Sequence, residues 1–153
     1  KLEGKKKNRP KIKFEIYNTR DKSVWKVFAK HHYLSHSHNN AAYVYVAFVN
    51  EQLAGFISIL HQPHPSVDNI KRVHRVVVMP DFQGIGVGLR LLEFMGKKYI
   101  NLKKRYTIVT SAPSLISYFK RSKDWICRSY GRNMKHAMGN SQTRITTSWE
   151  YKI

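Results

Sequence analysis

The stretch from Arg72 to Leu92 constrains the fold more than any other part of the chain. Val76, Val77 and Val78 are β-branched neighbours, the pattern of a strand buried on both faces. Pro80 cannot donate to a ladder and ends that strand. Gly84, Gly86 and Gly88 then alternate with Ile85 and Val87. Past Gly88, the apolar positions Leu89, Leu91, Leu92, Met95 and Tyr99 fall mostly on one helical face. A loop rich in free backbone N–H groups therefore opens directly onto a helix N-terminus. That arrangement binds anions, phosphate above all.

A Walker loop needs Lys-Ser/Thr after its last glycine, and here Leu89-Arg90 follows. A dinucleotide fingerprint needs wider glycine spacing and an acidic residue about 20 positions on, and neither is present. A tight turn that binds nothing is the bland alternative for a lone glycine triplet. The segment Gln83-Gly84-Ile85-Gly86-Val87-Gly88 resembles the Arg/Gln-x-x-Gly-x-Gly/Ala loop of the GNAT (Gcn5-related) acyltransferases, which cradles the pyrophosphate of acetyl-CoA. Val78-Met79-Pro80 is similar to the Val-x-Pro that usually precedes that loop. The resemblance implies acetyl-CoA as co-substrate; no metal is expected, since the chain's histidines match no common zinc spacing. The resemblance assigns the phosphates to Gln83, Gly84, Ile85, Gly86, Val87 and Gly88, and the pantetheine to the strand carrying Val76 and Val78. Ser111 stands where the family usually has a cofactor-contacting Asn. The Val78 N–H is the expected donor to the thioester carbonyl.

The flanking chain agrees with that order. Ile12, Phe14 and Ile16 alternate with Lys11, Lys13 and Glu15, predicting a half-buried strand over 11–17. Asn18 to Asp21 offers helix caps, and Val24, Trp25, Val27 and Phe28 mark an amphipathic helix. Residues 42–49 and 53–60 form a hairpin about Asn50-Glu51-Gln52, with Gly55 inside the return strand. Residues 105–110 read as a strand. Pro113 opens a helix that stops by Asp124. Trp125 to Arg128 is a short strand, residues 129–141 a loop, and Arg144 to Ile153 a last strand. The resemblance thus implies an α/β (α+β) three-layer domain over 11–153, with a mixed, mostly antiparallel sheet of about six or seven strands and about four flanking helices.

Charge adds what the fold does not. Lys and Arg number 28 against 9 Asp and Glu, a net +19 at pH 7. From Phe94 to Trp149 the only acid is Asp124. CoA alone needs less positive charge than this, so nucleic acid is the expected partner, as acceptor or docking surface. Residues 1–10 form a basic tail around Lys5-Lys6-Lys7, read as an arm on nucleic acid or a linker to a larger polypeptide N-terminal to Lys1. With Cys127 as sole cysteine, no internal disulfide can form. That fits a reducing cytoplasm. No apolar run reaches the roughly 18 residues of a membrane span.

The acceptor chemistry is less defined. Many family members carry a Glu on the fourth strand, but Lys71 to Val78 holds no acid. By period-two geometry His74 shares a face with Val76 and Val78, which makes it the candidate base. The alternative is a structural or DNA-contacting histidine. Tyr118 is the candidate acid, although it stands one place early against the family pattern, so that Phe119 occupies its slot. The segment from His31 to Asn40 carries four histidines with no zinc spacing. It reads as a substrate-facing loop or as a helix end with a solvated loop. Its His32-Tyr33-Leu34-Ser35 is similar to a His-Tyr-Ser segment of phage Mom-like DNA-modifying enzymes, which implies that His32, Tyr33 and Ser35 line the acceptor site. Trp125 and Tyr130 offer stacking faces, with the core as the alternative for Trp125. Three functions follow: an N-acyltransferase acting on nucleic acid or something bound to it; the same enzyme acting on a protein or small amine; or a non-catalytic nucleic-acid-binding module.

Overall fold

The structure is a computed structural model, and it describes residues 12–32, 38–131 and 145–152. Its strands are β1 (Phe14–Thr19), β2 (Tyr43–Val49), β3 (Gln52–His61), β4 (Ile70–Val78), β5 (Arg105–Thr110), β6 (Trp125–Tyr130) and β7 (Thr147–Tyr151). The helices are α1 (Trp25–Phe28), α2 (Val87–Asn101) and α3 (Pro113–Arg121). All seven strands lie in one sheet, in the order β1-β2-β3-β4-β5-β7-β6. Every neighbouring pair is antiparallel except β4 with β5. This is the mixed, mostly antiparallel sheet expected from the sequence.

Local chemistry explains most boundaries. Asn50 and Glu51 both have positive φ, 47° and 66°, which is the twist a two-residue hairpin turn requires. Asn50 then pins β1: its Oδ1 accepts the Lys13 N–H at 2.9 Å, and its own N–H reaches the Lys13 carbonyl at 2.8 Å. Strand β1 begins at Phe14 and runs to Thr19, later than the 11–17 expected, because its ladder follows the hairpin register Phe14 to Val49. The helix predicted from Val24 is one α-turn between two 3-10 turns, Lys22–Val24 and Ala29–His31. Asp21 caps it, accepting from the Ser23 N–H at 2.9 Å and the Ser23 hydroxyl at 2.6 Å.

Two apolar clusters hold the sheet. On one face, α2 and α3 bury Leu91, Leu92, Met95 and Phe119 against Ile57, Tyr106, Trp149 and Tyr151. Each such large apolar side chain contributes on the order of 2 kcal/mol. Helix α2 sits close because Gly55 lies beneath it: a Cβ there would stand 2.8 Å from Leu91 Cδ1. On the other face, Trp25 and Phe28 of α1 pack on Val44, Val46, Phe56 and Val77. The alternate side chains of the far strands, Arg105, Thr107, Val109, Ser148 and Glu150, belong to neither cluster.

Glu150 is 2% exposed, and its carboxylate meets Arg105 at 2.6 Å, Arg128 at 3.2 Å and Lys152 at 3.3 Å. Burial pushes its pKa up, but the three cations outweigh burial and hold it at about 2, against an ordinary 4.5. A depressed folded value means stability that is full above 4.5 and is lost as pH falls toward 2. Glu150→Gln should therefore cost about 3 kcal/mol at neutral pH and flatten the acid limb of the stability curve. Urea unfolding across pH measures both. An unchanged midpoint with an unchanged acid limb would remove Glu150 from this role.

Candidate active site

The glycine loop folds as its residues require. Gly84 and Gly86 have φ of +83° and +86°, a region in which a side chain is strained. No side chain caps α2, and the first helical acceptor is the Gly86 carbonyl, taken by the Arg90 N–H at 3.0 Å. Among the described residues, the N–H groups of residues 84–89 meet no acceptor. They line one helix end, where the backbone dipole is positive. Beside them lies a cavity of about 380 Å3, lined in part by Val78, Phe82, Gln83, Gly86, Gly88 and Leu115. Gly88 lets α2 approach β4, since a Cβ there would lie 3.3 Å from Val78 Cγ2.

Strand β4 is open on one side of its C-terminal half. Its ladder to β3 runs to Val78, but its ladder to β5 ends at Val73 and Ile108. The Met79 N–H bonds to the Ala54 carbonyl on the β3 side at 2.8 Å. Backbone groups alternate sides along a strand, so those of Val76 and Val78 face the open side. The Val78 carbonyl is capped there by Gln83 Nε2 at 3.1 Å. Thus Val76, Val78, Gln83 and the glycine loop converge on one groove. Ile85 is 58% exposed at its rim, while Val87 is buried beneath it.

At the far end of the groove, Leu115, Val76 and Thr110 close a smaller space of about 40 Å3 that His32 and His74 also line. Two residues distant in sequence are brought together there. His74 does not share a face with Val76 and Val78 as period two predicted. The register steps from Ser58–Arg75 to Ile59–Val73, so His74 is the extra residue of a β-bulge. Val73, Val76 and Val78 pack with the α2 side of the core, whereas the His74 ring lies 5.2 Å from His38, which stacks on Trp25 on the α1 side. His74 Nε2 accepts the Asn39 N–H at 3.1 Å, which puts the proton of the neutral ring on Nδ1. Burial, then the charges of Arg75, His38, Arg72 and His32, lower its pKa from 6.5 to about 4.

The other expected residues lie elsewhere. The Tyr118 hydroxyl donates to Glu93 of α2, and burial followed by that bond raises its pKa to about 12. Tyr118 lines neither part of the groove. Phe119, one place on, is core. Ser111 lines a separate depression with Ser117, Lys120 and Tyr130. Trp125 is core at 4% exposure, whereas Tyr130 is exposed, with Lys120 4.9 Å above its ring. Tyr33 and Ser35 lie outside the described residues, as does most of the basic loop beyond Gly131. Sequence reasoning missed Asn39 and the wedge residue Leu115. Leu115 read only as one apolar position among several on its helix.

Comparison with known proteins places this geometry. The acetyltransferase (GNAT) domain family matches residues 14–123. No curated protein sequence matches the chain. Among solved structures, an IAA acetyltransferase from Bacillus cereus superposes with a TM-score of 0.70 at 15% identity, covering 92% of this chain and 100% of that one. The ribosomal-protein-S18-alanine N-acetyltransferase of Escherichia coli gives 0.69 at 13% identity, covering 92% and 96%. A Bacillus subtilis acetyltransferase solved in complex with CoA gives 0.60 at 15% identity, covering 94% and 99%.

The state of His74 can be measured directly. A folded pKa below the ordinary value means that the ring is neutral in the native protein until pH falls toward 4. Its ring-proton NMR signals should therefore stay constant from about pH 8 to about pH 5, through the range where a solvated histidine titrates. The assignment comes from the signal lost in His74→Gln. A midpoint near 6.5 would show that the ring is neither buried nor held by Asn39.

Proposed function

The chain belongs to the GNAT acetyltransferase family, and from that premise we propose that it transfers an acetyl group from acetyl-CoA to an amine on nucleic acid or on a molecule bound to it. Acetyl-CoA-dependent N-acetyltransfer is the reaction of the family. The acceptor class rests on one observation, the net charge of +19, which is far more than a CoA molecule needs and is the usual footprint of a polyanion partner.

The residues fit the co-substrate. The N–H groups of residues 84–89, which meet no acceptor among the described residues, would hold the pyrophosphate. The open edge at Val76 and Val78 would hold the pantetheine arm by strand-like pairing. When bound, acetyl-CoA supplies an activated thioester. The Val78 N–H, facing the open side, is the donor for the developing oxyanion.

His74 is the proposed group at the acceptor. To take a proton, Nε2 must exchange the Asn39 N–H for the amine. A base near 4 cannot take a proton from an alkylammonium, which holds it up to about 10.4. An exocyclic base amine is neutral already and asks for positioning rather than deprotonation. Among the described residues, no Asp or Glu lines either part of the groove, in keeping with such an acceptor. Reaching that amine requires a single strand or a flipped base. His32 lies beside it to line the acceptor space, and Tyr33 and Ser35 are assigned the same role. Tyr118 serves as acid only if its hydroxyl leaves Glu93.

Gly86→Glu puts a carboxylate into the anion loop and should abolish acetyl-CoA binding by isothermal titration. Unchanged binding would overturn the loop assignment. Labelled acetyl-CoA, incubated with DNA, tRNA, a histone-like protein and polyamine, should leave label on nucleic acid. Label found only on protein or polyamine would reject the acceptor class while leaving the donor half standing.

A further inference from the structure

On the face that carries α1, the far strands β5, β7 and β6 lie beyond the apolar cluster and carry a fixed array of cations. Side chains directly opposite one another in a ladder share a face. Arg72 pairs with Thr107, Thr107 with Glu150, and Glu150 with Ile126, giving one row across β4, β5, β7 and β6. Val109 pairs with Ser148 in the next row. Glu150 is 2% exposed, whereas the side chains of Arg105, Arg128 and Lys152 around it are 41%, 46% and 50% exposed. One buried carboxylate therefore orients three cations that reach solvent. One negative charge against three positive leaves an excess of two, held in place by hydrogen bonds rather than by mobile stems. Exposed Ile126 supplies apolar contact among them.

Resting on the nucleic-acid reading above, we propose that this face is the docking surface for a phosphodiester backbone, with Arg105, Arg128, Lys152 and Arg72 as its phosphate contacts. Two features favour this occupant. The excess charge is positive and preorganised, and guanidinium groups suit phosphate oxygens. The array also leads to the acceptor end of the groove: β5 carries Arg105, Thr107 and Val109 on one face, and Val109 lines the space shared by His32 and His74. The distance along the strand from Arg105 to Val109 is about 13 Å. A strand anchored at the cations can thus present a base a few nucleotides away at His74.

The test uses the full chain and a short fluorescein-labelled single-stranded DNA, with anisotropy read over a salt series. Arg128→Ser with Lys152→Ser keeps the Arg105–Glu150 pair. It should weaken binding more than tenfold and lower the log–log salt slope by about 2. The charge-matched pair Lys26→Ser with Lys30→Ser, on exposed residues of the α1 segment, should stay within about twofold of wild type. Ile126→Glu, which removes no partner of Glu150, should also weaken binding if the doubly substituted chain fails to fold. Equal losses from both double variants, or no loss from Arg128→Ser/Lys152→Ser and Ile126→Glu, would overturn the docking face. If wild type binds the strand no more tightly at low salt than at high, the nucleic-acid reading fails with it. Acetyl-CoA affinity, measured in parallel, should be unchanged throughout, and its loss in Arg128→Ser/Lys152→Ser would mean that the face acts through the donor site.

Discussion

β4 is hydrogen-bonded to β3 along nearly its whole length and to β5 over only four residue pairs, and the groove exists because of that asymmetry. Had the parallel ladder continued past Val73 and Ile108, β5 would have taken the backbone groups of Val76 and Val78. Several features hold the strands apart. The bulge at His74 adds a residue and increases the local twist. Leu115, at the start of α3, lies between the two parts of the groove and contributes to the walls of both. Gly88 brings α2 onto Val76 and Val78 from the same side. A half-open strand edge inside a domain leaves polar groups that cost about 1–3 kcal/mol each when unsatisfied. Gln83 covers one of them, and the rest are suited to an extended partner with amides of its own.

The sequence-legible parts of this fold are those built by neighbours. The glycine loop, the hairpin at Asn50-Glu51 and the Pro113 helix start depend on residues a few positions apart, and period and turn chemistry read them correctly. β5 was legible to the residue because its apolar alternation is bounded by lysines on one side and by Ser-Ala-Pro on the other. The bulge was not legible. Nothing in Arg72 to Arg75 marks an extra residue, because it arises from how β4 meets β3, and a one-residue slip turns every later side chain to the opposite face. The pairing of Tyr118 with Glu93 and that of Glu150 with Arg105 join residues 25 and 45 positions apart. No periodicity within a single element contains such pairs.

The bulge also changes what His74 is suited to do. A histidine chosen for its ordinary pKa would be half-protonated near neutrality and a serviceable base. Turned toward His38 and Trp25, with Arg72 and Arg75 close by, the ring is held neutral and its lone pair is already engaged by Asn39. In that state it offers an N–H from Nδ1 and a lone pair only after the Asn39 contact opens. Its state therefore depends on residues 38 and 39, at the end of the histidine-rich stretch, as much as on β4. His32 lines the same small space as His74.

Glu150 shows how charge is distributed in a protein with so few acids. A carboxylate buried with one arginine would be a neutral internal pair, and an apolar pair would serve stability as well. Buried with three cations, it does something an apolar pair cannot: it holds more positive charge than it neutralises, at set positions on a sheet face. The desolvation cost falls on one anion, while the cations keep about half of their surface in water. The excess charge lies on strands whose other face is core, so it cannot relax away from β5 without breaking the ladder to β7. Rigidity of the sheet is thereby converted into rigidity of the surface field, one strand away from the groove.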